Sequence, residues 1–199
     1  MLRIALISEH ASPLAIGGST DSGGQNVYVA HVARQLAQRG WHVDIFTRRD
    51  DVHLPLIVEW QSNIRVIHVP AGPAQEIAKE KLLPYMSDFS DFMIGFAGNE
   101  AAPYDVIHAN FFMSGWVGLQ LKNAFGIPLV MTFHALGKVR RLHQGASDTF
   151  PEARFEIEQD IVDTADCLVA ECPQDREDLI ELYGADPARI EIVPCGFDI

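Results

Sequence analysis

The sequence is poor in the residues that staple, span or ligate. Its three cysteines, Cys167, Cys172 and Cys195, are an odd number with no Cys-x-x-Cys spacing, which argues against a disulfide framework and against a cysteine-built zinc site. The eight histidines include no His-x-x-x-His pair, and no two aspartates stand two apart, so no metal role is expected. Positive charge is scarce: 15 Lys and Arg face 27 Asp and Glu, a net charge of −12. A nucleic-acid partner would need clustered cations over a broad surface. A small phosphate ester would need only a few that converge.

No apolar run approaches the roughly 20 residues of a membrane span. The stretch from Met1 to Ser8 lacks the basic flank and small-residue cleavage site of a signal peptide, and the reading is cytoplasmic. A Gly-x-Ser-x-Gly elbow is missing, against a serine hydrolase. The first glycine loop also has no Gly-x-Gly-x-x-Gly, against a dinucleotide-binding epimerase or dehydrogenase.

What is present is alternation. Arg3 to Ser8 reads as a buried strand, Gln25 to Arg39 as a helix stopped by Gly40, and His42 to Thr47 as the next strand, a right-handed βαβ unit. Leu56 to Trp60 and Ile64 to Val69 read as strands, or together as a hairpin, and Ala74 to Phe96 as a helix that Pro84 breaks or kinks. Strands at Val106–Asn110, Leu129–Phe133, Cys167–Ala170 and Ile190–Val193 then alternate with helices at 114–125, 151–165 and 173–183. The apolar stretch 111–121 reads as core rather than as a membrane-facing surface. The pattern predicts an α/β domain, a doubly wound and mostly parallel Rossmann-like sheet, spanning 1–199 as one unit.

In such sheets ligands sit beyond the carboxyl ends of the strands. The residues found there are Glu9 and His10, Arg48 and Arg49, Asn110 and Phe111, and His134. Gly23-Gly24-Gln25-Asn26 opens a helix, whose free N–H groups and positive end suit a phosphate or sugar. Lys138-Val139-Arg140-Arg141 is the densest basic run and closely follows His134, a placement that suits a phosphate-bearing substrate.

Several segments together resemble one family. They are 7–13 (ISEHASP), 21–28 (DSGGQNVY), 44–48 (DIFTR), 69–73 (VPAGP) with Lys79-Glu80, 105–108 (DVIH), 114–116 (SGW), 132–138 (TFHALGK), Glu152-Ala153-Arg154 with Glu158, and 193–198 (VPCGFD). The chain is similar to the N-terminal half of the retaining, two-Rossmann-domain glycosyltransferases of GT-B type, group 1 or family 4. Sucrose-phosphate synthase and the inositol-phosphate N-acetylglucosaminyltransferase belong to that family.

The resemblance implies transfer from a nucleotide sugar, a co-substrate rather than a cofactor, to a phosphorylated sugar or polyol, with retention and without a metal. It implies His134 as the catalytic group. It places the acceptor among His10, Gly24, Asn26, Lys79, Phe111 and Arg154, with Lys79 and Arg154 on its phosphate. It places the donor by Gly17, Gly18, Gly23 and Lys138. A donor-binding C-terminal domain is expected in cis, and without it this stretch alone is expected to be nearly inactive. The alternative is a stand-alone sugar-phosphate-binding module. Inositol-phosphate users of the family carry an aromatic hydroxyl where Phe111 stands, a hydroxyl where Ala135 stands and a basic residue where Phe155 stands. The acceptor's identity is therefore left open.

Overall fold

A computed structural model describes residues 1–15 and 23–196. In chain order the elements are β1 (Arg3–Ile7), α1 (Gly24–Gln38), β2 (His42–Arg48), β3 (Ile57–Gln61), β4 (Ile64–Val69), α2 (Met86–Asn99), β5 (Val106–Asn110) and α3 (Phe112–Phe125). Then follow β6 (Leu129–Thr132), α4 (Gly137–Gln144), α5 (Ala153–Thr164), β7 (Cys167–Ala170), α6 (Pro173–Tyr183) and β8 (Ile190–Ile192).

The strands form one eight-stranded sheet in the order β3-β4-β2-β1-β5-β6-β7-β8. Every pairing is parallel except the β3–β4 hairpin at one edge. Chain order reverses between β1 and β5, and that switch point opens the crevice of a doubly wound sheet. Side chains alternate across the sheet. Ile4 and Leu6 join Val29 and Ala33 of α1 in one apolar cluster. Ala5 and Ile7 join Phe46, Phe89, Phe112 and Ile161 in a larger one.

The stretch read as helical from Ala74 to Phe96 is interrupted at Pro84 as expected, but it is not α-helical before that point: the chain passes through 3-10 turns at Lys79–Lys81 and Leu83–Tyr85 before α2 begins at Met86. Besides Pro84, a tertiary grip holds this segment, because the buried Arg48 guanidinium donates to the carbonyls of Pro73 at 2.8 Å and Gln75 at 2.5 Å. The basic run, to which the sequence pattern assigns no element, forms α4, a helix in which Gly137 is buried. Its first N–H is capped from a distance, by both oxygens of Glu158 at 3.0 and 2.9 Å.

Candidate functional site

Two residues at the carboxyl edge carry backbone that side chains ordinarily avoid. Phe111, just after β5, has φ 79°, and His134, just after β6, has φ 58°. Phe111 combines that angle with ψ 156°, a region nearly reserved for glycine. Each such residue costs on the order of 1–3 kcal/mol and persists only where its surroundings over-determine it. His134 is so held. Its Nε2 lies 3.0 Å from Asn110 Oδ1, its Nδ1 lies 3.0 Å from Glu171 Oε1, and the Tyr28 ring packs edge-on at 4.8 Å.

Asn110 in turn donates from Nδ2 to the Ile7 carbonyl at 3.2 Å, and its own carbonyl accepts from Gln25 Nε2 at 3.3 Å. The same Gln25 nitrogen reaches Ser8 Oγ at 3.1 Å. One polar chain thus ties the ends of β1, β5 and β6 to the start of α1.

Two further features flank this chain. Helix α1 has no acidic residue in its first turn, so no charge of the helix itself offsets its positive end, which attracts anions. Asn26 shapes the entry, accepting from the Gly23 N–H at 3.0 Å and donating to the Ser12 carbonyl at 2.9 Å. Behind His134, His108 is enclosed and faces Thr132 Oγ1 at 2.9 Å; burial first, then proximity to His134, pushes its pKa down to about 4.

Three cavities open along this edge. One of ≈ 390 Å³ is lined by His10 and Asn26 together with Glu9, Arg48, Asp50, Glu76 and Glu80. A second of ≈ 930 Å³ is lined by Gly24, Gln25, Tyr28, His134, Glu171 and Cys195, with apolar wall from Val27, Val32 and Val193. A third of ≈ 200 Å³ runs beneath His134 and Glu171 toward α6. Burial works to raise the Glu171 pKa, but its contacts with His134 and Cys195 outweigh it and hold the carboxyl below its ordinary value. Burial, then Glu171, pushes the Cys195 thiol up to about 11, so it stays a protonated donor. Among the described residues no group of three or more His, Cys, Asp or Glu side chains could hold a metal ion.

The predicted residues divide accordingly. His10 and Asn26 share one cavity, Gly24 and His134 share another, and Phe111 meets His10 edge-on at 5.0 Å. Gly23 stands at the N-cap of α1. Lys79 sits between Ala78 and Glu80, both of which line the first cavity. Gly17 and Gly18 lie outside the described residues.

Arg154 is not an open anion hook. It is 1% exposed and stands under the rings of Phe111, Phe112 and Phe150, at 5.1, 4.8 and 4.7 Å. Its Nε pairs with Glu158 at 2.7 Å and its Nη2 donates to the Ala135 carbonyl at 2.5 Å, while Nη1 is buried with no partner. A guanidinium surrounded by three phenyl rings could not be read from the sequence.

Lys138 is not brought to the crevice. Its Nζ donates to the Leu182 carbonyl at 2.6 Å and to Gln159 at 3.3 Å, over the Tyr183 ring. The convergence expected from the basic run therefore does not occur: Arg140 and Arg141 pair with Asp148 at 3.1 and 3.6 Å.

Sequence reasoning missed Glu171, which lies 37 positions from its partner His134 and meets it only because β6 pairs with β7. It also missed Asp50 and Glu76 in the first cavity, which no motif marks.

The comparisons with known proteins agree on the setting. Residues 23–196 match the family model described as "Glycosyl transferase 4-like domain". The chain is 42% identical over 199 residues to a D-inositol 3-phosphate glycosyltransferase of Corynebacterium diphtheriae, covering all of this chain and 47% of that protein. It is 44% identical over 198 residues to the protein of that name from Corynebacterium aurimucosum, covering 99% of this chain and 47% of the relative. Among solved structures, a sucrose-phosphate synthase from Thermosynechococcus elongatus matches with a TM-score of 0.91 and 34% identity, over all of this chain and 49% of that one. The chain thus spans about half the length of these relatives. Its fold is the Rossmann-like half of a GT-B glycosyltransferase, and the chain belongs to the glycosyl transferase 4-like domain family.

Proposed function

We propose that this chain is the acceptor-binding half of an enzyme that transfers a sugar from a nucleotide sugar to a hydroxyl of a phosphorylated sugar or polyol, with retention at the anomeric carbon. A donor-binding domain in cis would close over the ≈ 930 Å³ cavity. The observation that carries the reading is that His134, held in a strained backbone from two sides, lines one cavity with the first turn of α1. In transfer the acceptor oxygen bonds to the anomeric carbon while the carbon–oxygen bond to the diphosphate breaks. The charge then develops on the diphosphate, and the N-terminus of α1 offers oriented N–H groups to meet it. No metal is called for.

The acceptor takes the ≈ 390 Å³ cavity. Asn26 and the carboxylates of Asp50, Glu76 and Glu80 are the partners that a polyol's hydroxyls need. The same carboxylates repel a phosphate, so that group is directed toward Lys79, which stands between the wall residues Ala78 and Glu80. The names of the relatives, D-inositol 3-phosphate glycosyltransferase and sucrose-phosphate synthase, support a phosphorylated acceptor.

The test is nucleotide release by the full-length protein with a panel of nucleotide sugars, each offered with hexose phosphates, inositol phosphates and the dephosphorylated counterparts. Release that depends on a phosphorylated acceptor supports the proposal. Binding of sugar phosphates with no release from any donor would favour a non-catalytic sugar-phosphate-binding module instead.

A further inference from the structure

On the acceptor side, the hydrogen-bonding roles of His10 are set by the fold rather than by solvent. Its Nδ1 lies 2.8 Å from Glu9 Oε1, and the Glu9 side chain is fully buried. The other carboxylate oxygen accepts from the hydroxyl of Ser114, in the first turn of α3. The Ser114 oxygen in turn accepts from the backbone N–H of Glu9 at 3.1 Å. Ser8 Oγ donates to the Ala11 carbonyl at 2.9 Å and closes the loop that carries both residues.

This accounting decides where the imidazole proton sits. A carboxylate only accepts, so the ring nitrogen facing it carries hydrogen, and in the neutral ring the other nitrogen is left with its lone pair. Phe111, packed edge-on at 70°, fixes the plane of the ring, and the ring borders the acid-lined cavity beside Asn26.

We propose that Glu9 is a positioning residue for sugar transfer. It fixes His10 in the Nδ1–H form, so that Nε2 accepts a hydrogen bond from the attacking hydroxyl of a polyol in the ≈ 390 Å³ cavity. This rests on the sugar-transfer reading above. A hydroxyl whose proton is held by Nε2 turns a lone pair toward the anomeric carbon, the pre-orientation from which bound reactants gain most. Nε2 takes that proton as the new bond forms and the diphosphate leaves. The buried carboxylate acts through the histidine and need not touch the substrate.

The experiment uses the full-length protein with histidine labelled at both ring nitrogens, the His10 signals being those lost in His10→Gln. At alkaline pH, where imidazole is neutral, His10 is expected to show a protonated Nδ1 and an unprotonated Nε2. The opposite form in the wild-type protein overturns the proposal without recourse to any variant. For turnover, Glu9→Met is expected to lower kcat at least tenfold with the KM for the nucleotide sugar within twofold. Glu9→Met/His10→Ala should be no slower than His10→Ala alone. A Glu9→Met enzyme at wild-type kcat, or losses that multiply in the double variant, would reject the role. If the wild-type protein transfers no sugar from any donor, the sugar-transfer reading has failed on its own, and a positioning role in transfer falls with it whichever form the ring shows.

Discussion

Removing the buried carboxylate of Glu158 should destabilise the protein strongly. Glu158 is fully buried and takes four contacts: Arg154 Nε at 2.7 Å, the Gly137 N–H on both oxygens, and the Tyr183 hydroxyl. In Glu158→Ala the Arg154 guanidinium keeps its place under three phenyl rings but loses its counter-charge. Breaking a buried pair from one side costs about 3–5 kcal/mol, because an uncompensated charge is left inside. The rings return part of this, since a desolvated cation over an aromatic face is worth about 2 kcal/mol. Loss of the cap on α4 acts in the opposite direction by about 1 kcal/mol.

The net expectation is about 3 kcal/mol, which for a domain of this size lowers the melting temperature by roughly 6–12 °C. The assay is urea or thermal unfolding of wild type, Glu158→Ala, Arg154→Met and the double variant. Because a neutral pair removes the orphaned charge, the double variant should be more stable than Glu158→Ala. A Glu158→Ala protein within about 1 kcal/mol of wild type, or a double variant that loses the sum of both singles, would refute the reasoning.

Three further expectations follow from the same geometry. His108 has its pKa depressed to about 4 by burial and by His134, so below the ordinary value of about 6.5 the unfolded chain binds a proton that the folded one refuses. Stability is then complete above that pH and falls as pH drops toward 4, a slope that His108→Asn should flatten in melting curves. Asp44 is fully buried; burial works to raise its pKa, but hydrogen bonds from Arg65 at 2.7 and 2.6 Å and from Tyr104 at 2.7 Å hold it below the ordinary carboxylate value. Its contribution is present above the unfolded value near 3.9 and lost at lower pH, so Asp44→Asn should remove an acid limb from the unfolding profile. A Cβ on Gly118 would stand 2.7 Å from Leu129 Cδ1; Gly118→Ala should cost about 1–3 kcal/mol by overpacking α3 on the sheet, measurable by denaturation, with the crevice unchanged.

The sheet was legible because buried parallel strands announce themselves as short apolar runs, and glycine stops such as Gly126 and Gly184 adopt the left-handed caps that end α3 and α6. The strand-end residues were legible for the same reason, since topology alone carries Glu9, Asn110 and His134 to one edge. Helix α4 was not, because GKVRRLHQ buries only its first residue and owes its start to Glu158, 21 positions away. Composition gave no sign that Arg154 would be enclosed or that Lys138 would turn to Leu182. Both follow from which counter-charges and rings α5 and α6 bring near, and that depends on packing rather than pattern.

The most direct trial of the account is the turnover of His134→Ala in the full-length protein, supplied with the nucleotide sugar and phosphorylated acceptor that the wild type uses best. The account predicts a loss of at least tenfold, about 1.4 kcal/mol of barrier, with unfolding close to that of the wild type. Wild-type turnover in a folded His134→Ala protein would contradict it.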